Sequence, residues 1–395
     1  MEKLLDKSAR KIQGVSLVCK RYLYDEINTA NRLIAIKGAR GTGKTTLLLQ
    51  LAAKHHPEEV LYIALDDLFF SENSLYGLAE KFYKTGGKIM MIDEVHKYPN
   101  WSRELKLIYD DFAGLKIVFT SSSILDIYKG ESDLSRRAIS YHLAEMSFRE
   151  YLMMYEKIQL PAVTLSEILK NHQAISMDIV KQISPLKYFS KYIKIGNYPY
   201  YENNEEEYHQ KLRNTINLIV EIDMLTIENL DFQTIAKLKR LLFIISSNVP
   251  FIPNIQKISD AIQLNRNALV RALQLLHRAE LIRMIYKKSR SISQLNKPDK
   301  IWMNNTNLMF AISREHVEKG TLRETFFMQN LAHNHSLSLP EKGDVLVDNK
   351  FLFEIGGKNK SRKQIVREKN AFVVHDDIEV GFQNNIPLWL FGFLY

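Results

Sequence analysis

The segment Gly38-Ala39-Arg40-Gly41-Thr42-Gly43-Lys44-Thr45 constrains this chain more than any other. Its glycines let the backbone curl so that several N–H groups point inward, and a helix opening at the lysine adds its positive N-terminal end. Such a loop holds the β-phosphate of a nucleoside triphosphate, with the lysine on the β/γ-phosphates and the Thr45 hydroxyl on Mg²⁺. The expected nucleotide-binding residues are therefore Gly38, Ala39, Arg40, Gly41, Thr42, Gly43, Lys44, Thr45 and Thr46. An apolar run at 32–37 precedes the loop and a helical pattern at 45–55 follows it, which is the context a phosphate loop requires.

The pattern continues as strand, helix, strand. Apolar runs at 60–65, 88–92 and 116–120 alternate with helical stretches at 71–83 and 101–112. Strands separated by helices imply parallel βαβ units, so the first 150 residues are expected to be an α/β domain with a parallel sheet. The third run ends in Asp93-Glu94, at the strand edge where α/β sheets bind ligands. Asp93 would hold Mg²⁺ through water and Glu94 would polarise the attacking water. The fourth run ends in Thr120 and three serines, of which Ser122 is the expected γ-phosphate sensor; a plain polar turn is the alternative. Arg136-Arg137 follow, positioned to neutralise transition-state charge in cis or across a homo-oligomer interface, or simply to solvate the surface. His55, His56 and His96 lack companions at zinc-ligand spacing and read as ordinary polar residues.

Taken together, IAIKGARGTGKTTLLLQLA, IMMIDEVHKYPNWSRELKLIYDD, KIVFTSSS and LSRRAISYHLAEMSFREYL resemble the bacterial and archaeal AAA-type ATPases that carry a C-terminal DUF4143 domain. The later IKIGNYPYY and IVEIDM fit the same resemblance. It implies an AAA+ core, ATP as the nucleotide, a winged-helix module and a terminal domain related to restriction-endonuclease-like folds. In that family glycine usually precedes the arginine after the sensor strand. Here Arg136 takes the glycine's place and Arg137 matches the arginine, which makes Arg137 the expected catalytic arginine beside Lys44, Glu94 and Ser122.

Beyond residue 150 the expectation is a mostly helical lid or linker at 151–245, a winged helix at 246–315 and a small α+β domain at 316–395. Helices at 254–261 and 265–279 bracket a short turn, with Asn265 as N-cap of the second. On double-stranded DNA that second helix would present Asn265, Arg266, Asn267 and Arg271 to the major groove, with Lys287, Lys288 and Arg290 on phosphates; packing beside an ATPase is the alternative use.

Near the C-terminus, Asp344 and Glu354 fall on two short strands, with Glu324 on a preceding helix, as in metal-dependent nucleases. Such sites need acid-x-Lys on the second strand, yet position 356 is Gly and the nearest lysine is Lys358. The expectation is a degenerate nuclease fold kept for binding or packing, with an active ATP-dependent nuclease, in which Lys358 swings back across the two glycines, as the alternative. The run from Lys358 to Lys363, with Arg367 and Lys369, suits phosphate contact or a solvated loop. The terminal IPLWLFGFLY reads as a final buried strand.

A formal charge of +9 favours an anionic partner, nucleic acid above all. The single cysteine, Cys19, excludes an internal disulfide framework and fits a reducing cytoplasm. No stretch approaches the roughly 20 apolar residues of a membrane span, and the N-terminus lacks an apolar signal-peptide core.

Overall fold

Short apolar runs become strands here because helices cover both sides of the sheet they form. In the computed structural model, β1 (Leu33–Lys37), β2 (Val60–Ala64), β3 (Ile89–Asp93), β4 (Lys116–Thr120) and β5 (Ile139–His142) lie in the order β2-β3-β4-β1-β5, every pairing parallel. Alternate residues serve opposite faces. Leu33, Ala35, Leu61, Ile63, Met90 and Ile92 belong to one core with Leu75 and Leu78 of a helix at Leu75–Lys84 and Leu105 and Ile108 of another at Trp101–Asp111. Ile34, Ile36, Val60, Tyr62, Ile89 and Met91 belong to a second core, with Leu47, Leu48 and Leu51 of the helix Lys44–Ala52. A strand buried on both faces has no polar side to show, so it reads as a continuous apolar run.

The structure describes residues 1–122, 134–224, 232–247, 254–287, 298–313, 317–360, 365 and 368–395. Ser123, Lys288, Arg290, Arg362, Lys363 and Arg367, named above, lie outside them. The chain forms two compact units, Met1–Glu145 and Met146–Tyr395. The first boundary was expected near 150, and the three segments distinguished beyond it share one unit. A single core explains this: Phe148, Tyr151, Phe189 and Tyr192 from the helical stretch pack with Trp302, Phe326, Phe353 and Phe393.

In this second unit, α1 (Ile255–Ile262) and α2 (Arg266–Arg278) are followed by the antiparallel pair β6 (Ile282–Ile285) and β7 (Lys300–Met303). Asn265 caps α2 as expected, accepting from the Ala268 N–H at 2.9 Å. α3 (Lys319–Leu331) precedes a sheet of β8 (Leu337–Ser338), β9 (Val345–Val347), β10 (Phe351–Gly356), β11 (Ala371–His375) and β12 (Asn385–Pro387). β10 pairs parallel with β11 and antiparallel with β9. The terminal apolar run corrects the expectation: only its start is strand, and Leu388–Phe393 is a buried 3₁₀ helix. An unbroken apolar run shows that a segment is enclosed without showing which backbone it adopts.

Candidate nucleotide-binding and catalytic site

The phosphate loop follows β1 and has the backbone its glycines permit. Gly38, Gly41 and Gly43 have φ of 149°, 88° and 96°. A Cβ on Gly38 would lie 2.4 Å from the Leu143 carbonyl oxygen, so close approach as well as φ requires glycine there. Thr42 Oγ1 donates to the Ala39 carbonyl at 2.9 Å, pinning the loop on itself. Lys44 is buried, and its ammonium donates to the Gly38 and Ala39 carbonyls, each at 2.9 Å. Thr45 and Thr46 are exposed on the first helical turn. Arg21, which sequence reasoning passed over, braces the loop from behind. Its buried guanidinium donates to the Thr42 carbonyl at 2.6 Å and to the Ala144 carbonyl at 2.7 Å.

Asp93 closes β3, buried, with both carboxylate oxygens engaged. Tyr62 donates to Oδ2 at 3.0 Å, and Thr120 donates to Oδ1. Burial, and then the Asp93 charge, pushes the Tyr62 phenol far above its ordinary value, so the hydroxyl stays protonated and donates. Thr120 Oγ1 also accepts from the Glu94 N–H at 2.9 Å. One hydroxyl thus ties both acids to the end of β4.

Glu94 leaves the strand with φ of 53°, a left-handed conformation for a non-glycine residue. Its carboxylate meets His96 Nε2 at 3.2 Å. Burial alone would raise the Glu94 carboxyl; the His96 ring, Lys44 and Arg40 more than reverse this and hold it at about 2. Lys44 and Arg40 of the loop and the acid after β3 therefore share one electrostatic neighbourhood.

The remaining predicted residues are not among these contacts. Ser122 is buried beyond the end of β4, and it is Thr120 whose hydroxyl reaches the acids. Arg137 makes a two-pronged pair with Asp110, Nε to Oδ1 at 2.9 Å and a terminal nitrogen to Oδ2 at 3.0 Å; Arg136 is exposed. Thr120 was findable in the sequence as the last residue of its strand, facing the neighbouring strand's acid. Nothing local marked Arg21, whose partners lie 21 and 123 positions away.

Residues 30–152 match the protein family described as "AAA domain", and residues 186–318 match "Domain of unknown function (DUF8612)". The family found beyond the ATPase core is thus DUF8612 in place of the DUF4143 that the resemblance implied. The chain is 25% identical to the Methanocaldococcus jannaschii protein "Uncharacterized protein MJ1637", covering 91% of this chain and 86% of that one. It is 24% identical to "Uncharacterized protein MJ1544" of the same organism, covering 86% and 76%. Among solved structures it is similar to the Aeropyrum pernix Orc1 protein in complex with DNA, at 11% identity and a TM-score of 0.33, covering 80% of this chain and 92% of that one. It is also similar to AMPPCP-bound DnaA from Aquifex aeolicus, at 17% identity and a TM-score of 0.28, covering 64% and 84%. No helix among the described residues is long and apolar enough to cross a membrane. The match to an AAA domain thus spans the phosphate loop and the acids that follow β3.

Proposed function

We propose that this chain hydrolyses ATP to ADP and phosphate with Mg²⁺ and spends the resulting change on duplex DNA. The observation that carries the first half is Thr120 holding Asp93 and the Glu94 backbone together, with the Glu94 carboxylate ionised in the field of Lys44 and Arg40. In this reading the loop amides and Lys44 bind the phosphates. Thr45 binds Mg²⁺ directly and Asp93 does so through water, since both its oxygens keep a second lone pair. Glu94 orients the attacking water. Arg137 would have to leave Asp110 before it reached a phosphate, which is the work expected of a neighbouring copy of the chain.

The second half rests on 255–303. α2 buries Leu269, Ala272, Leu273 and Leu276 and exposes Arg266, Asn267 and Arg271, while Lys287 is exposed beside the β6–β7 pair. Two helices and a hairpin with a basic outer face fit a winged helix, whose second helix enters the major groove. The net charge of +9 favours the same partner.

Phosphate release measured with duplex DNA, single-stranded DNA and no DNA, at two salt concentrations, tests both halves. Stimulation by duplex that fades with salt is expected. Turnover indifferent to DNA at both salts would remove the second half, and ATP binding without turnover would leave a nucleotide-gated switch. Glu94→Gln should keep ATP affinity within a few-fold while turnover falls at least about a hundredfold, the usual worth of a general base.

A further inference from the structure

The second unit encloses a carboxylate that its own packing answers on one side only. Glu354, in β10, is 1% exposed; Oε1 lies 3.2 Å from Lys360 Nζ, whereas Oε2 is enclosed without a hydrogen-bond partner. A buried charged oxygen left bare is costly, and in a native fold it points to an ion or ligand that completes it.

Asp344 immediately precedes the adjoining strand β9. Its N–H donates to the Phe353 carbonyl at 2.9 Å and its Oδ2 accepts from the Ile355 N–H at 2.6 Å, which clamps its carboxylate beside β10. Glu324, on α3, accepts from Trp302 Nε1 at 3.0 Å and from Lys300 Nζ at 3.2 Å. Burial pushes its carboxyl up against the pull of Lys300, and the nearby Asp344 charge adds to the rise. Asp344 is thus held against the backbone on either side of Glu354, while Glu324 is spent on Trp302 and Lys300.

The missing lysine is present, from another position. A Cβ on Gly356 would lie 2.6 Å from Cβ, Cγ and Cδ of Lys360. The stem of Lys360 therefore runs through the space a side chain at 356 would fill and delivers its ammonium to Glu354. A tight turn, in which the Lys360 N–H donates to the Gly357 carbonyl at 2.9 Å, brings it back. Lys358, the nearest lysine in sequence, is exposed instead. Gly356 is then the condition for Lys360 to reach its place, and no longer the loss of a lysine.

We infer that Glu354 and Asp344 bind a divalent cation of the Mg²⁺ type, and that with Lys360 they hydrolyse phosphodiester bonds of DNA. Mg²⁺ keeps several waters and is commonly held by one or two carboxylates plus substrate phosphates. It therefore needs no closed cage of three acidic, His or Cys side chains, and among the described residues there is none. A cation-bound water, oriented by Lys360, loses a proton to solvent and its oxygen bonds to phosphorus. The bond from phosphorus to the leaving sugar oxygen breaks, and that oxygen takes a proton from solvent. One phosphodiester and one water give one phosphate monoester and one hydroxyl. Lys358 and Lys369, both exposed, add positive charge along the same stretch for the flanking phosphates.

The full chain, without nucleotide, is titrated with Mn²⁺ and followed by electron paramagnetic resonance. End-labelled duplex and single-stranded DNA are incubated with it in Mg²⁺ or Mn²⁺, with and without ATP. Wild type is expected to bind Mn²⁺ saturably and to cut at least one of the two DNAs. Glu354→Gln should weaken Mn²⁺ binding at least tenfold and abolish cutting. Lys360→Ala should lower the melting temperature without metal, since it leaves the Glu354 charge unpaired, but keep Mn²⁺ binding within threefold of wild type and, with Mn²⁺ bound, lower cutting at least a hundredfold. Moving the lysine back, with Gly356→Lys and Lys360→Gly together, should restore cutting to within tenfold of wild type. The inference is overturned by absence of cutting in every metal, by cutting that survives Lys360→Ala, or by Mn²⁺ binding that Glu354→Gln leaves intact in a folded protein.

Discussion

His96 Nε2 lies 3.2 Å from Glu94 Oε2, from a ring whose side chain is only 6% exposed. The acid proposed to activate water therefore lies beside a neighbour two residues along the chain, in the 3₁₀ turn Val95–Lys97 that follows β3, and the two form an ion pair when the ring is protonated. From sequence this histidine carried no signal, because zinc spacing was the only pattern that would have marked it.

That contact gives a pH signature. The Glu94 carboxyl sits at about 2, below its ordinary 4.5, so its contribution to stability is complete above pH 4.5 and disappears as pH falls toward 2. The full contribution is on the order of 3 kcal/mol. The difference in melting temperature between wild type and Glu94→Gln should be largest above about pH 5 and shrink steadily below pH 4.5. A difference that stays constant through this range would show that the charge on Glu94 is not stabilised by the fold.

Thr120→Val leaves the strand's shape intact but removes a donor to Asp93 and the acceptor for the Glu94 N–H. Turnover should drop at least about tenfold, with ATP affinity changed much less, since each lost buried partner costs about 1–3 kcal/mol. Thr120→Ser, which keeps the hydroxyl, should recover most of the activity. Ser122→Ala run in parallel separates the two hydroxyls: a larger loss there than in Thr120→Val returns the sensor role to Ser122.

Removing the Arg21 guanidinium takes charged donors from two buried carbonyls, of Thr42 and Ala144. Arg21→Ala should destabilise the N-terminal unit by about 3 kcal/mol, and nucleotide affinity should fall at least about tenfold as the loop loosens. Calorimetry and titration with a fluorescent ATP analogue measure both. Retained affinity with a lowered melting point would restrict Arg21 to a structural part.

Gly38→Ala places a methyl 2.4 Å from the Leu143 carbonyl oxygen, a backbone atom that cannot swing aside. At φ of 149° the alanine is strained as well. ATP binding should be lost at concentrations saturating for wild type, with a melting temperature several degrees lower. Wild-type affinity in this variant would show that β5 and the loop can move apart at little cost.

The α/β class, the strand positions, the phosphate loop and the acids after β3 were legible because each is a local pattern. A glycine-rich turn between an apolar run and a helix, or an acid at a strand end, is fixed by residues within a few positions of one another. That the Thr120 hydroxyl meets both acids was not local. It follows from the register that pairs Ile92 with Phe119, which sets the next residues, Asp93 and Thr120, side by side. The placing of Arg137 on Asp110 likewise joins a helix end to a loop 27 residues later.

By itself the sequence determined a glycine-rich loop between a strand and a helix, an acid pair at the end of β3, and a second pair of acids at Asp344 and Glu354. Only the tertiary structure decided how each set is completed: Arg21 behind the loop, Thr120 between Asp93 and Glu94, and Lys360 lying across Gly356. The reason is physical. Backbone propensity and apolar patterning act over a few residues, whereas the partner of a buried polar group is whichever donor the packed chain brings within about 3 Å, from any distance along the sequence.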